Sequence, residues 1–248
     1  MKIITGMHRS GTSLVARLFS QAGADMGSPE TFYQADRWNP GGYYEQTDIH
    51  AVNMPLVNGI WWKFAYFFLP STDTILRRAK KYEGLIRRID ADYRGKIVKE
   101  NRFCLTLPAW QRYDTTVEKI LICIRSPGQV VSSIIKRNHT TRRHGYYLWH
   151  LHNQRILRHA EKIPIWFIDY NNLLKPELFE KEMAAALNFF GIDFPADNIV
   201  NMGSKNVRRD MNHHAGRTYS YPPNVHELWR NLKQLHRNQF TGKKCDYP

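Results

Sequence analysis

A strand, a glycine-bracketed turn and a helix open the chain, and together they restrict the fold more than any other stretch. Ile3-Ile4-Thr5 is a short β-branched run that reads as a buried strand, and Leu14 to Phe19 have helical spacing. Between them, the frame Gly6-x4-Gly11-Thr12-Ser13 fits the phosphate loop G-x-x-x-x-G-K-S/T, except that Thr12 stands where lysine is expected. A cation sits three residues earlier instead, as Arg9. In such a loop the glycines let backbone N–H groups curl around an anion. The helix starting near Ser13 points its positive end at the same anion. Ser10, Thr12 and Ser13 add hydroxyl donors. The alternative is an ordinary strand–turn–helix joint with incidental glycines.

The missing lysine bears on the chemistry. Phosphoryl transfer from ATP normally needs that lysine, with magnesium held by the loop hydroxyl and a carboxylate ending a later strand. Here the best later strand, Lys119–Ile124, ends in Arg125. A positive group at that point suits a phosphate and repels magnesium. A small-molecule kinase with an altered loop remains one rival. A non-catalytic nucleotide- or nucleic-acid-binding module is another.

Strand and helix patterns alternate along the chain, which predicts an α/β fold with a central parallel sheet flanked by helices, like that of P-loop nucleoside triphosphate hydrolases. Further strands are expected at 96–99, 119–124 and 163–169. Helices are expected at 12–22, 45–58, 74–93, 130–136, 146–162 and 176–190, the last ending at Gly191. The tail from about Gly203 reads as basic and less regular. Asn39-Pro40-Gly41-Gly42 is a strong turn signal. With 248 residues and no linker or repeat, residues 1–248 read as a single domain.

Charge narrows the partners. The 36 Lys and Arg against 22 Asp and Glu give +14, which favours anionic ligands without identifying one. The basic cluster at 77–88 reads as a solvated helix face. Cys104, Cys123 and Cys245 cannot all pair, and reduced cysteines in a cytoplasmic enzyme are the simplest account. No cysteine or histidine spacing makes a convincing metal site. No apolar run reaches the roughly 20 residues that span a bilayer, and the chain starts directly with its first strand, so no leader peptide is expected.

A second anion site follows the third strand. The strand delivers Arg125 to the carboxyl edge of the sheet, where open α/β folds bind ligands. Pro127 suits the first turn of the next helix. Ser133, eight residues after Arg125, lies about two turns into that helix and can face the same pocket. An arginine fork and a hydroxyl suit a terminal phosphate monoester.

Together the two segments resemble the sulfotransferases that use 3′-phosphoadenosine 5′-phosphosulfate (PAPS). In that family a Lys/Arg-Ser-Gly-Thr loop holds the 5′-phosphosulfate, and a strand-end arginine with a serine eight residues later holds the 3′-phosphate. Gly6–Ser13 and Arg125–Ser133 match both elements in order. Asn39-Pro40-Gly41-Gly42-Tyr43-Tyr44-Glu45, Lys99-Glu100-Asn101-Arg102-Phe103-Cys104-Leu105 and Leu148-Trp149 are similar to the bacterial branch. The resemblance covers about the first 150 residues. It departs at Lys99-Glu100-Asn101-Arg102, which relatives often write Lys-Asp-Pro-Arg. It departs again in lacking the glycine- and lysine-rich element near the C-terminus.

The resemblance implies a sulfotransferase fold and transfer of a sulfuryl group from PAPS to an acceptor hydroxyl on a glycan, lipid or small molecule. Adenosine 3′,5′-bisphosphate is the expected product, with no metal and no nucleic acid involved. Donor-binding residues are then His8, Arg9, Ser10, Gly11, Thr12, Ser13, Arg125 and Ser133, with Arg208 or Arg209 replacing part of the missing C-terminal clamp. Arg9 supplies the cation against the charge that grows on the leaving oxygen, and Lys99 is a second electrostatic partner. Glu45 is the expected general base, with His50, Asp48 and Glu100 as substitutes. Two alternatives stay open: Glu45 as a helix N-terminal stabiliser and Lys99 as an exposed strand-end lysine. The aromatic run Trp61–Phe68 reads as an acceptor surface or as core packing, and Arg142 and Arg143 as recruiters of an acidic glycan or as a solvated loop.

Overall fold

The computed structural model describes residues 1–36, 39–59, 69–138, 140–206 and 219–242. The aromatic run Trp61–Phe68, Arg208, Arg209 and Cys245 lie outside the described residues. Four strands, β1 (Lys2–Thr5), β2 (Ile97–Lys99), β3 (Lys119–Ile124) and β4 (Ile165–Asp169), form one parallel sheet in the order β2-β1-β3-β4. In register, Ile3 lies between Val98 and Ile120, and Ile122 pairs with Phe167.

Side chains of successive strand residues point to opposite faces, and here both faces are apolar. Ile3, Val98, Ile120, Ile122 and Phe167 join one buried cluster, and Ile4, Ile97, Leu121, Cys123 and Ile168 the other. A parallel sheet of this kind must be covered on both sides. The first face is covered by α2 (Thr47–Asn58), α3 (Thr72–Ala79), α4 (Glu83–Asp92), α5 (Phe103–Gln111), α6 (Pro127–Asn138), α7 (Arg142–His159) and α11 (Pro223–Gln239). The second is covered by α1 (Thr12–Gln21), the short α8 (Tyr170–Leu173), α9 (Pro176–Phe190) and α10 (Ala196–Asn206).

Three expectations need correction. The helix expected over 74–93 is two helices, α3 and α4, joined by a tighter turn at Lys80–Tyr82. No proline or glycine at 80–82 announces the break. The segment after Lys99 carries a helix, α5, whose nine residues and internal Pro108 hide its periodicity, and Cys104 sits in it. The tail from about Gly203, read as less regular, carries the end of α10 and the whole of the 17-residue α11. In α11, Val225, Leu228, Leu232 and Leu235 form a helical apolar stripe that the surrounding charges obscure. The helix also covers β4: the Gln239 amide accepts from the Phe167 N–H at 2.8 Å and donates to the Phe167 carbonyl at 2.6 Å, as a neighbouring strand would.

The strand order places the site. From β1 the chain passes to β2 on one side, whereas β3 pairs with β1 on the other, so the connections reverse between β1 and β3. Ligands of open α/β sheets bind outside the strand ends at such a switch point. The loop after β1 and Arg125 after β3 both lie there. Gly6 permits this closeness, since its φ is 151° and a Cβ would lie 2.5 Å from the Cys123 carbonyl oxygen on β3. Gly6→Ala is therefore expected to destabilise the protein by about 2–4 kcal/mol. Urea unfolding checks this, and a loss below about 0.5 kcal/mol would contradict the account of the β1–β3 approach.

Candidate active site

The loop after β1 turns through two left-handed residues, Arg9 (φ 71°) and Gly11 (φ 93°). Gly11 is the N-cap of α1 and carries no side chain to satisfy the first N–H groups of that helix. Those amides are therefore available to an anion. Gly11 is required for a second reason, because a Cβ there would lie 2.2 Å from the Tyr170 ring, just beyond β4.

Arg125 holds the other side. It is buried, and its Nη1 donates to the Arg9 carbonyl at 3.0 Å and its Nε to Gln129 Oε1 at 3.0 Å. The guanidinium also lies 4.1 Å from the centroid of the Tyr170 ring. Burial lowers its pKa from the usual arginine value, yet arginine stays charged at any physiological pH. Ser133, farther along α6, accepts from Arg9 Nε at 2.8 Å. The two anion-binding segments expected from sequence are thus one continuous surface, with the Arg9 side chain reaching from the glycine turn to α6.

Beneath the loop, β2 ends in a buried polar network. Lys99 is fully buried, not an exposed strand-end lysine. Its Nζ lies 2.5 Å from Glu45 Oε1 and 3.4 Å from Ser13 Oγ, so it joins the loop to the acidic side of the cleft. Glu45 does not head α2; Gln46 is the N-cap and Glu45 precedes it. Burial alone would raise the Glu45 pKa, but the Lys99 charge, the His50 contact and the Arg102 charge together bring it well below the ordinary glutamate range. His50 Nδ1 lies 3.6 Å from Glu45 Oε2, and Arg102 Nη1 lies 2.8 Å from Glu100 Oε1.

Asn101, in the segment that departs from the family pattern, bridges the loop. Its Oδ1 accepts from Thr12 Oγ1 at 2.8 Å, and its Nδ2 lies 3.3 Å from His8 Nδ1. Burial, with Arg102 and His152 nearby, lowers the His8 pKa well below the usual histidine value and keeps that ring neutral. His8 thus braces the loop through Asn101.

These residues line a cleft of about 290 Å³. His8, Arg9, Gly11, Thr12, Ser13, Glu45 and Arg125 all border it, as do His50, Asn101, Arg102 and Tyr170. Ser133 reaches it through Arg9, and Lys99 through Glu45 and Ser13. Ser10 is buried and does not border the cleft. Asp48 is directed elsewhere, accepting from the Ile49 N–H and the Tyr93 hydroxyl. Sequence reasoning missed Tyr170, Gln129, Arg137 and Tyr43. Gln129 was within reach as the residue four after Arg125, and Tyr170 as the residue immediately after the fourth strand. Arg137 continues the α6 face of Gln129 and Ser133 and donates to the Tyr43 hydroxyl at 3.4 Å.

Glu45, His50 and Glu100 offer ligand atoms within 4.8 Å of one another, a spacing a metal ion could use. Two of the three already face cations, Lys99 on Glu45 and Arg102 on Glu100. The positive charge of this pocket is thus supplied by the chain itself.

No family model matches the sequence, and no curated protein matches it. A solved structure does: the "Sulfotransferase Domain from the Curacin Biosynthetic Pathway" superposes with a TM-score of 0.52. It is 14% identical, and the match covers 94% of this chain and 97% of that one. The chain has a sulfotransferase fold. At that identity the likeness speaks for architecture, and the chemistry has to be argued from the cleft. Among the described residues, no helix is long and apolar enough to cross a membrane.

The Glu45–Lys99 pair yields a stability prediction. Lys99→Met leaves a buried carboxylate without its partner and should cost about 3–5 kcal/mol in urea unfolding. Adding Glu45→Gln should recover much of that loss. The folded Glu45 pKa lies below the unfolded one, so the pair's contribution is full above the ordinary glutamate range and is lost as pH falls through the folded value. A Lys99→Met protein as stable as wild type at pH 7 would show that the pair is not buried as described.

Proposed function

We propose that the protein is a PAPS-dependent sulfotransferase, with residues 1–248 acting as one domain. The observation that carries this reading is the joining of two anion-binding surfaces by Arg9 and Arg125: the amide-rich turn Gly11–Ser13 and the Arg125–Ser133 face of α6. A ligand that fills both must carry anionic groups at two ends, as a 3′-phosphorylated adenosine 5′-phosphosulfate does. The strand-end arginine where a nucleotide kinase places a magnesium-binding carboxylate also favours this donor over ATP.

In this reading Arg125 and Ser133 bind the 3′-phosphate, and Arg208, from outside the described residues, is a further candidate for the same group. The Gly11–Ser13 amides and the hydroxyls of Thr12 and Ser13 hold the 5′ end. Arg9 and Lys99 stabilise the negative charge that develops on the oxygen between phosphorus and sulfur, a role for fixed cations in a water-poor site. Neither acts as an acid: Arg9 keeps its proton throughout, and Lys99 is committed to Glu45. Glu45 supplies the negative charge that supports removal of the acceptor proton. The acceptor hydroxyl enters between Glu45 and the loop, from the side of the cleft bordered by Tyr33, Tyr43, His50 and Met54. A carbohydrate, a lipid or a small molecule would each meet this description.

Calorimetric titration tests the reading. Adenosine 3′,5′-bisphosphate should bind more tightly than adenosine 5′-phosphate, and more tightly than ATP with magnesium. Arg125→Ala removes charge-assisted hydrogen bonds worth about 1.5–3 kcal/mol each. It should lower affinity for the bisphosphate at least about tenfold more than affinity for the monophosphate. Some loss for both is expected, because Arg125 also supports the Arg9 carbonyl. Equal losses for the two nucleotides, or preferential binding of magnesium ATP, would overturn the assignment.

A further inference from the structure

The proton of the acceptor hydroxyl needs a destination, and Glu45 is poorly suited to be one. One of its oxygens faces the buried Lys99 ammonium at 2.5 Å, and the surrounding charges hold it as a carboxylate far below neutral pH. A carboxylate so satisfied gives up little by staying charged and gains little by accepting a proton. Its second oxygen, however, faces His50 Nδ1 at 3.6 Å. Catalytic contacts of this length often close when substrate binds.

We propose that His50 is the general base and that Glu45 is the positioning residue behind it, an inference that rests on the sulfuryl-transfer reading above. His50 sits in the first turn of α2, and its ring packs on Tyr33 with centroids 4.7 Å apart and planes at 33°, which fixes its orientation. Its side chain is 15% exposed against 7% for Glu45, so the imidazole, not the carboxylate, is the more accessible member of the pair at the cleft. With the Nδ1 proton directed at Glu45, the lone pair lies on Nε2, which has no hydrogen bond among the described residues. A buried carboxylate behind an imidazole sets its tautomer and stabilises the imidazolium, the division of labour found in hydrolase triads.

The step balances as follows. The acceptor oxygen forms a bond to sulfur, and the bond from sulfur to the 5′-phosphate oxygen breaks with its electron pair, leaving adenosine 3′,5′-bisphosphate. The acceptor proton moves to His50 Nε2, and Glu45 compensates the imidazolium charge. The chain Ser13, Lys99, Glu45, His50 then runs from the donor loop to the acceptor, with contacts of 3.4, 2.5 and 3.6 Å.

One neighbour opposes this arrangement. Arg102 Nη1 lies 3.4 Å from the same Nδ1. Donation from Arg102 would require an unprotonated Nδ1, place the proton on Nε2 and make His50 a donor instead of a base. Arg102 is held more closely by Glu100 Oε1, at 2.8 Å, and Glu100 itself offers a carboxylate oxygen within 4.8 Å of the His50 ring nitrogen. Nη1 carries two N–H groups and the shorter charge-assisted bond to Glu100 uses one of them, so at Nδ1 the second competes, from 3.4 Å, with the Glu45 carboxylate at 3.6 Å.

The tautomer decides the matter. Two-bond ¹H–¹⁵N spectra of the histidine rings of the full chain at pH 8, assigned with His50→Gln, should show His50 protonated on Nδ1. An Nε2–H tautomer overturns the proposal. Release of sulfate from PAPS to water, with water in place of the acceptor, should fall about 100-fold in His50→Gln, with affinity for adenosine 3′,5′-bisphosphate within about twofold of wild type by calorimetry. An unchanged rate overturns the role of His50 alone. A wild type that does not bind the bisphosphate overturns the sulfuryl-transfer reading instead.

Discussion

Arg125 is the interaction on which the site depends. Its guanidinium joins three elements: the loop after β1 through the Arg9 carbonyl, α6 through Gln129, and the residue just beyond β4 through the Tyr170 ring. Taking an arginine out of water is costly unless its donors are used. Here two are used by the protein, and the stacked aromatic face replaces part of the lost hydration. Among the described residues the remaining edge of the fork has no hydrogen-bond partner and suits an anion. A single buried cation thus shapes the glycine turn and prepares the place where a phosphate would lie. Gly11 and Tyr170 complete the same unit, since the ring beneath the guanidinium fills the space that a Cβ at residue 11 would need.

A second organising pair lies across the cleft. Lys99 and Glu45 are both buried, and each is tolerable only because of the other. Their contact links the end of β2 to the segment before α2 and brings the acidic side of the cleft against the basic loop. The Lys99 charge, with His50 and Arg102 nearby, outweighs the burial that would raise the Glu45 pKa and holds that side chain as a carboxylate. A positive pole towards Ser13 and a negative pole towards His50 follow without any movement of the chain. The arrangement suits a reaction in which negative charge grows at one end and a proton departs at the other.

Much of this could be read from the sequence. The glycine frame with its displaced cation, the strand ending in Arg125 and the serine eight residues on each rest on local geometry: a strand end, a helix turn, a fixed spacing. Those local rules held, and the sheet then brought the segments together. Contacts between segments distant in sequence were not legible. Nothing in the Lys99-Glu100-Asn101-Arg102 stretch announces that Asn101 hydrogen-bonds Thr12 or that Lys99 is buried against Glu45, because those partners are 89 and 54 residues away. α11 was missed for a different reason. Its apolar stripe is spaced correctly, but charged residues between the apolar ones made the tail look like a solvated extension, and only the exposed edge of β4 explains why a helix must pack there.

The central claim is that one doubly anionic nucleotide occupies the surface running from Gly11 to Ser133. The most direct measurement is the electron density of a crystal of the protein grown with adenosine 3′,5′-bisphosphate. The account predicts one phosphate within hydrogen-bonding distance of Arg125 and Ser133, and the other on the amides of Gly11 to Ser13. A nucleotide bound with a single phosphate in the glycine turn, and its 3′-phosphate in solvent away from Arg125, would contradict it.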